Sequence, residues 1–399
     1  MRRYIYLAFL ALSIWTCVEP FEPEVGSYDS TLVVDGIFSD GEEPSLVFLS
    51  SSFPYSENEN IPIQGAQVVI EEQQGGRTTL VESTPGVYQT DPSTFKGEIG
   101  KSYRLLVNTP DGNAFESSWE QMKASPPIED IRYAIEERAP DDPNLQPVPG
   151  AQIYLSTKDT ENNTRYYRWE FEETYQYSLP HPPAIRAIFG DPPGRGNDEI
   201  QYIPLSEWEG AVCWKTEYAQ QILIATTENL SQDFVKDFPI YFVSNKTTRL
   251  SKRYSMLIKQ YAISQSYYKY LEKVEAINET TGSLFDPIPN ELFGNIKSVN
   301  GKEIPVLGYF GVAGKTATRI FINREELPTD LRMPFRPICI NDTIPLSFSR
   351  LYSETKFRYR ALYDYNYNLI GTPIAYLLTD PICASCAANN ATNVKPDFW

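Results

Sequence analysis

Between Thr31 and Ser125 the chain falls into short apolar runs that stop, one after another, at turn-forming residues. Thr31 to Phe38 closes at Asp40-Gly41, Ser45 to Ser50 follows, and Ala66 to Glu71 ends before Gly75-Gly76. Arg77 to Glu82, Val87-Tyr88, Lys101 to Asn108 and, beyond Asp111-Gly112, Phe115 to Trp119 complete the series. Such runs are too short for helices, whereas about seven of them at this spacing are the pattern of an immunoglobulin-like β-sandwich. Residues 31–125 are therefore expected to form one.

Ala124-Ser125-Pro126-Pro127 interrupts the pattern and marks a boundary. Residues 126–399 read as a larger β-rich domain, sandwich or barrel-like. Within Thr164 to Tyr177, Tyr167, Trp169 and Phe171 alternate with Arg168, Glu170 and Glu172, so one strand face is apolar and the other charged. An aromatic ladder of this kind can bind sugar, but core packing is the expectation. Leu179 to Gly210, rich in proline, glycine and charge, reads as a long loop and contains His181, the chain's one histidine. Gln265 to Asn278 changes period. Tyr267, Tyr270, Leu271, Val274 and Ile277 fall at helical spacing, which predicts one amphipathic helix near 265–278, packed on a sheet. Strands are expected again at Ile344 to Phe348 and Lys356 to Tyr363. Tyr363, Tyr365 and Tyr367 then alternate with polar residues, which makes these three phenols candidates to face a partner, against the plainer reading of a half-buried strand.

The first residues supply an address. Arg2 and Arg3 precede an apolar run from Tyr4 to Trp15, too short to span a bilayer, which reads as a lipoprotein signal over 1–16 with Cys17 as the acylated residue. Residues 17–30 begin with three glutamates interleaved with two prolines, an acidic, extended tether. A formal net charge of −17 argues against nucleic acid as a partner. Beyond Cys17, the cysteines Cys213, Cys339, Cys383 and Cys386 suit two disulfides, with three pairings open. A zinc site would need further ligands and finds only His181, so no metal and no cofactor is expected. No Gly-x-Ser-x-Gly elbow accompanies that histidine, and paired carboxylates arise by chance among 52 acids, so no enzyme is expected.

Several stretches together resemble one family. They include Leu32-Val33-Val34-Asp35-Gly36, Gly86-Val87-Tyr88, Cys213-Trp214, Gly282-Ser283-Leu284-Phe285-Asp286-Pro287, Gly294-Asn295-Ile296 and Leu307-Gly308-Tyr309-Phe310. Cys383, Cys386 and the terminal Lys395-Pro396-Asp397-Phe398-Trp399 extend the set. The chain is similar to the Bacteroidota lipoproteins grouped as domain of unknown function 4249. That resemblance implies an outer-membrane protein held in the bilayer through acylated Cys17, facing the cell surface. Its expected role is non-enzymatic, as an accessory or lid-like partner of a TonB-dependent β-barrel transporter in cargo capture and uptake. A structural or assembly subunit of an outer-membrane complex is the alternative. The chain departs from the family at Ala387-Ala388-Asn389-Asn390, where glycine is usual, which leaves that turn open.

Overall fold

The structure, a computed structural model, describes residues 31–52, 61–140, 142, 144–194, 196–204, 211–280, 292, 294–299, 304–329, 331–332 and 337–399. The expected signal and tether, Cys17 and the Gly282 to Pro287 stretch lie outside the described residues. What is described is mainly β, with a sandwich-like layout in which no sheet closes into a barrel.

The expected N-terminal sandwich is present, and it takes strands from far along the chain. One of its layers holds Gln67–Glu72, Ser102–Asn108 and Ala114–Ser117, and Ile296–Ser298 adds antiparallel to the last of these. The other layer holds Leu32–Ser39, Leu46–Ser51 and Val87–Gln89 and runs on into a ten-stranded sheet. The link is an 18-residue strand, Val306–Asn323. Its first half lies parallel to Leu32–Ser39, with Leu32 opposite Val306 and Ser39 opposite Ala313. Its second half lies antiparallel to Arg253–Ala262, with Ala262 opposite Gly314 and Arg253 opposite Asn323. Val306, Phe310 and Val312 accordingly fill the sandwich core beside Val34, Phe38, Val47, Ile70, Tyr88 and Leu105. Glycine is required at 308, where φ is +105° and a Cβ would stand 1.8 Å from the Val34 carbonyl oxygen.

The second half of the molecule packs the strand Tyr166–Ser178 and its neighbours against a three-stranded sheet of Ile128–Arg138, Val148–Asp159 and Asp233–Ser244. Strand alternation decides which side chains enter this core. Tyr167 and Trp169 are fully buried, and Trp169 stacks on Phe238 at 4.5 Å, so the aromatic ladder is core. Trp169 donates its indole N–H to Gln260 at 3.0 Å, and Gln260 donates in turn to the Pro126 carbonyl at 2.8 Å and the Thr157 hydroxyl at 3.1 Å. A buried amide with so many partners ties the two halves at their seam.

On the opposite face of the large sheet lies the helix Gln265–Thr280. Tyr267 and Leu271 are buried against Tyr261, Ile263 and Tyr309, and the rings of Tyr267 and Tyr309 stack at 4.5 Å. Arg168, on the charged face of its strand, donates to the Tyr267 hydroxyl and pairs with Glu170 at 2.6 Å. The amphipathic stripe therefore packs on the sheet, as its spacing predicts.

The C-terminal part departs from expectation. Between the two strands expected at Ile344 to Phe348 and Lys356 to Tyr363 stands a second helix, Phe348–Phe357, which takes Phe348 from the first and Lys356-Phe357 from the second; its start is capped by the Ser347 hydroxyl accepting from the Arg350 amide. Only Leu351 among its apolar residues is deeply buried, so no helical stripe stands out; Glu354 instead pairs with Arg350 at 2.7 Å. The strands here are Asp342–Pro345, Ala361–Tyr367 and Pro373–Thr379. With the short Pro381–Ala384, the described residues hold three α-helices where one was expected. The loop from Leu179 to Gly210 also contains structure, a hairpin of Ile185–Ile188 and Glu199–Tyr202. Ile185 and Ile200 alternate into a small core with Ile344, Leu351, Tyr376 and Leu378. At the departure from the family pattern, Ala387–Asn389 makes a 3-10 turn closed by Asn390 at φ 52° and ψ 43°. Asparagine is among the few residues that tolerate this left-handed conformation, so it does there what glycine would.

Candidate functional site

Where neighbouring strands of the large sheet end, the C-terminal part folds over them and leaves a cleft of about 670 Å³. Tyr175 and Tyr177 reach it from Tyr166–Ser178, Lys215 from Val212–Tyr218, Lys252 from just before Arg253–Ala262, and Arg324 from just after Val306–Asn323. The far wall comes from Asn341, Ile382 and Asn389. The two walls are joined covalently. Cys213 pairs with Cys386 across them at a Cα separation of 5.4 Å, and Cys339 pairs with Cys383, at 6.1 Å, within the far wall. The Cys-x-x-Cys pair is thus divided between two bridges, and neither cysteine is left as a metal ligand. Backbone bonds from Trp214 to Thr392 and back, at 2.8 Å and 2.9 Å, reinforce the same junction. Among the described residues no group of three His, Cys, Asp or Glu side chains could hold a metal ion.

No aspartate or glutamate is among the described residues that line the cleft. Behind the Tyr175 and Lys215 wall stand Glu217 and Glu173. Glu217 accepts from Tyr175 at 3.1 Å and pairs with Lys215 at 2.9 Å and Arg249 at 2.6 Å, and Arg249 also pairs with Glu173 at 2.8 Å. Burial pushes the Glu217 carboxyl up, but the Lys215 hydrogen bond and the Arg249 charge outweigh it and hold the group below the usual carboxylate range. Burial raises the Tyr175 phenol, and the charge of Glu217 adds to the effect. Arg324 spends its guanidinium on backbone carbonyls, those of Ser251 at 3.4 Å and Arg332 at 2.6 Å.

The residues singled out by sequence fall around this cleft unevenly. His181 is at its rim, with Nε2 3.2 Å from the Asn341 amide nitrogen, its ring 4.7 Å from Tyr363, and its backbone N–H donating to the Cys383 carbonyl at 3.0 Å. The three tyrosines do not share one face. The register of Ala361–Tyr367 slips between Leu362 and Asp364, and this bulge turns Tyr363 toward His181. Tyr365 instead stacks on Tyr376 at 5.5 Å and neighbours Tyr202 and Tyr367, the last of which is 42% exposed. Sequence reasoning missed Lys215, Lys252 and Arg324. Each reads locally as an ordinary solvated charge at a strand end, and only the pairing of distant strands gathers them.

A family model described as a domain of unknown function (DUF4249) matches residues 18–319. No curated protein matches the chain. Among solved structures, the B domain of a biofilm-associated protein aligns over 72% of this chain and 85% of its own, at 8% identity and a TM-score of 0.12, a likeness too low to support any argument. No helix among the described residues is long and apolar enough to cross a membrane.

Proposed function

The chain belongs to the DUF4249 family, and from that membership we propose a non-enzymatic binding protein of the outer membrane, anchored through acylated Cys17 and working beside a TonB-dependent β-barrel transporter. In this reading it captures cargo at the cell surface and presents it for uptake. The observation that carries the reading is the cleft. It is concave, built on strand ends, braced by disulfides in and beside its far wall, and of a volume typical of small-ligand sites. A lipid anchor and an acidic tether favour the same role, because confinement to one membrane raises the effective concentration of two partners without a strong contact between them.

The test is affinity purification of the tagged, full-length protein from native outer membranes. Co-purification of a TonB-dependent transporter is the expected result. Recovery of a barrel-assembly or secretion complex in its place would move the protein to an assembly role.

A further inference from the structure

We infer that the cleft takes a small organic or inorganic polyanion, held by Lys252 and Arg324. This rests on the binding reading above and gives its ligand a chemical class.

Charge is the first ground. The chain carries a formal −17, yet this cleft is lined by Lys215, Lys252, Arg324 and His181 and by no carboxylate among the described residues. Random placement in so acidic a chain would put acids on such a surface. Two other groups of cations in this protein are matched with acids. Lys259 and Lys315 converge on Glu43 at 2.9 Å and 2.7 Å, and Arg104 bridges Glu71 and Glu116 at 2.6 Å and 2.8 Å.

Geometry is the second ground. The Arg324 amide donates to the Lys252 carbonyl at 2.9 Å, so the two residues that carry these cations are neighbours at the end of one strand pair, and both line the cleft. Like charges so placed repel. Lys215 is neutralised by Glu217, whereas Lys252 and Arg324 form no ion pair among the described residues. A bound oxyanion between them relieves the repulsion and gains charge-assisted hydrogen bonds.

A third observation is independent of charge. Tyr177, 6% exposed, lines the cleft and keeps its hydroxyl buried with no protein partner. Burial raises this phenol, with the charge of Glu217 adding to the effect, so the hydroxyl stays protonated and able to donate. A buried hydroxyl without a partner is a cost in the free protein.

The test is calorimetric titration of the purified full-length protein with three probes: trigalacturonate, tripolyphosphate and the neutral maltotriose. One or both anions are expected to bind about tenfold or more tightly than maltotriose, with affinity falling steeply as salt is raised. Which anion binds identifies the carboxylate or the phosphate as the group recognised. Lys252→Glu should weaken that binding by about tenfold or more, the worth of one charge-assisted hydrogen bond. Because Arg324 also holds backbone carbonyls, Lys252→Gln serves as the variant that leaves the fold untouched, and it should weaken binding in the same direction. Binding of neither anion, equal binding of maltotriose, or full affinity in both Lys252 variants would overturn the inference. Anion binding by a protein that brings down no transporter removes the transporter reading alone. Transporter capture by a protein that binds no anion removes this inference alone.

Discussion

Asn295 and Phe310 exchange two hydrogen bonds of 2.9 Å, the Phe310 amide donating to the Asn295 side-chain oxygen and the Asn295 side-chain amide donating to the Phe310 carbonyl. A carboxamide thereby does for one residue of Val306–Asn323 what a neighbouring strand would do. Meanwhile the Asn295 carbonyl accepts from the Ser118 amide at 2.8 Å, which ties the other layer of the sandwich to the same point. Asn295→Ala should cost about 1 to 2 kcal/mol, read as a lower urea midpoint at unchanged slope. A shift under about 0.5 kcal/mol would mean that water replaces both bonds at no loss.

The two disulfides should differ in weight. Cys213 and Cys386 close a separation of 173 residues, Cys339 and Cys383 one of 44. In the loop-entropy account these correspond to about 5 and about 4 kcal/mol. Replacing Cys213 and Cys386 together by serine should therefore lower the thermal midpoint more than replacing Cys339 and Cys383. The reverse order would show that local packing against the C-terminal part, and not chain entropy, sets the effect.

Acid should loosen the seam near Glu43. Burial raises this carboxyl, but hydrogen bonds from Lys315 and Lys259 overcome that and bring it down from its ordinary 4.5 to about 2. Its folded value is depressed, so the stabilisation is fully present above about pH 4.5 and is lost as the pH falls toward 2. Glu43 is half exposed, which screens the effect and keeps it modest. Glu43→Gln should flatten the acid limb of a stability against pH curve in that window and leave the curve above pH 6 parallel to that of the wild type.

Membrane attachment has a direct check. If Cys17 is the acylated residue, Cys17→Ala should move the protein from the membrane fraction to the soluble one and abolish labelling by a palmitate analogue. A variant that stays in the membrane would require a different anchor.

Local patterns were readable where a side chain's fate depends on its near neighbours. The alternation of Tyr167, Trp169 and Phe171 foretells their burial, and the spacing of Tyr267 and Leu271 foretells a helix on a sheet. Pairings between distant segments leave no such mark. Nothing near Leu32 announces Val306 as its neighbour, because a parallel partner is set by the path of the whole chain. The bulge at Tyr363 defeats a period-two reading for a related reason, since one extra residue reverses every later side chain. The cleft was hidden most fully, being an arrangement of strand ends and not a motif. The pairing of Cys213 with Cys386 and of Cys339 with Cys383 likewise needed the fold, since four cysteines permit three pairings equally.

The strand Val306–Asn323 also sets an order of events. Because its first half supplies Val306, Phe310 and Val312 to the sandwich begun at Leu32, the earliest residues of that sandwich cannot finish folding until some three-quarters of the chain is at hand. A polypeptide made from its N-terminus therefore carries an incomplete first module, whose Leu32–Ser39 edge stays open until its distant partner arrives. Until then the edge is an unpaired row of backbone donors and acceptors, open to any strand that reaches it first.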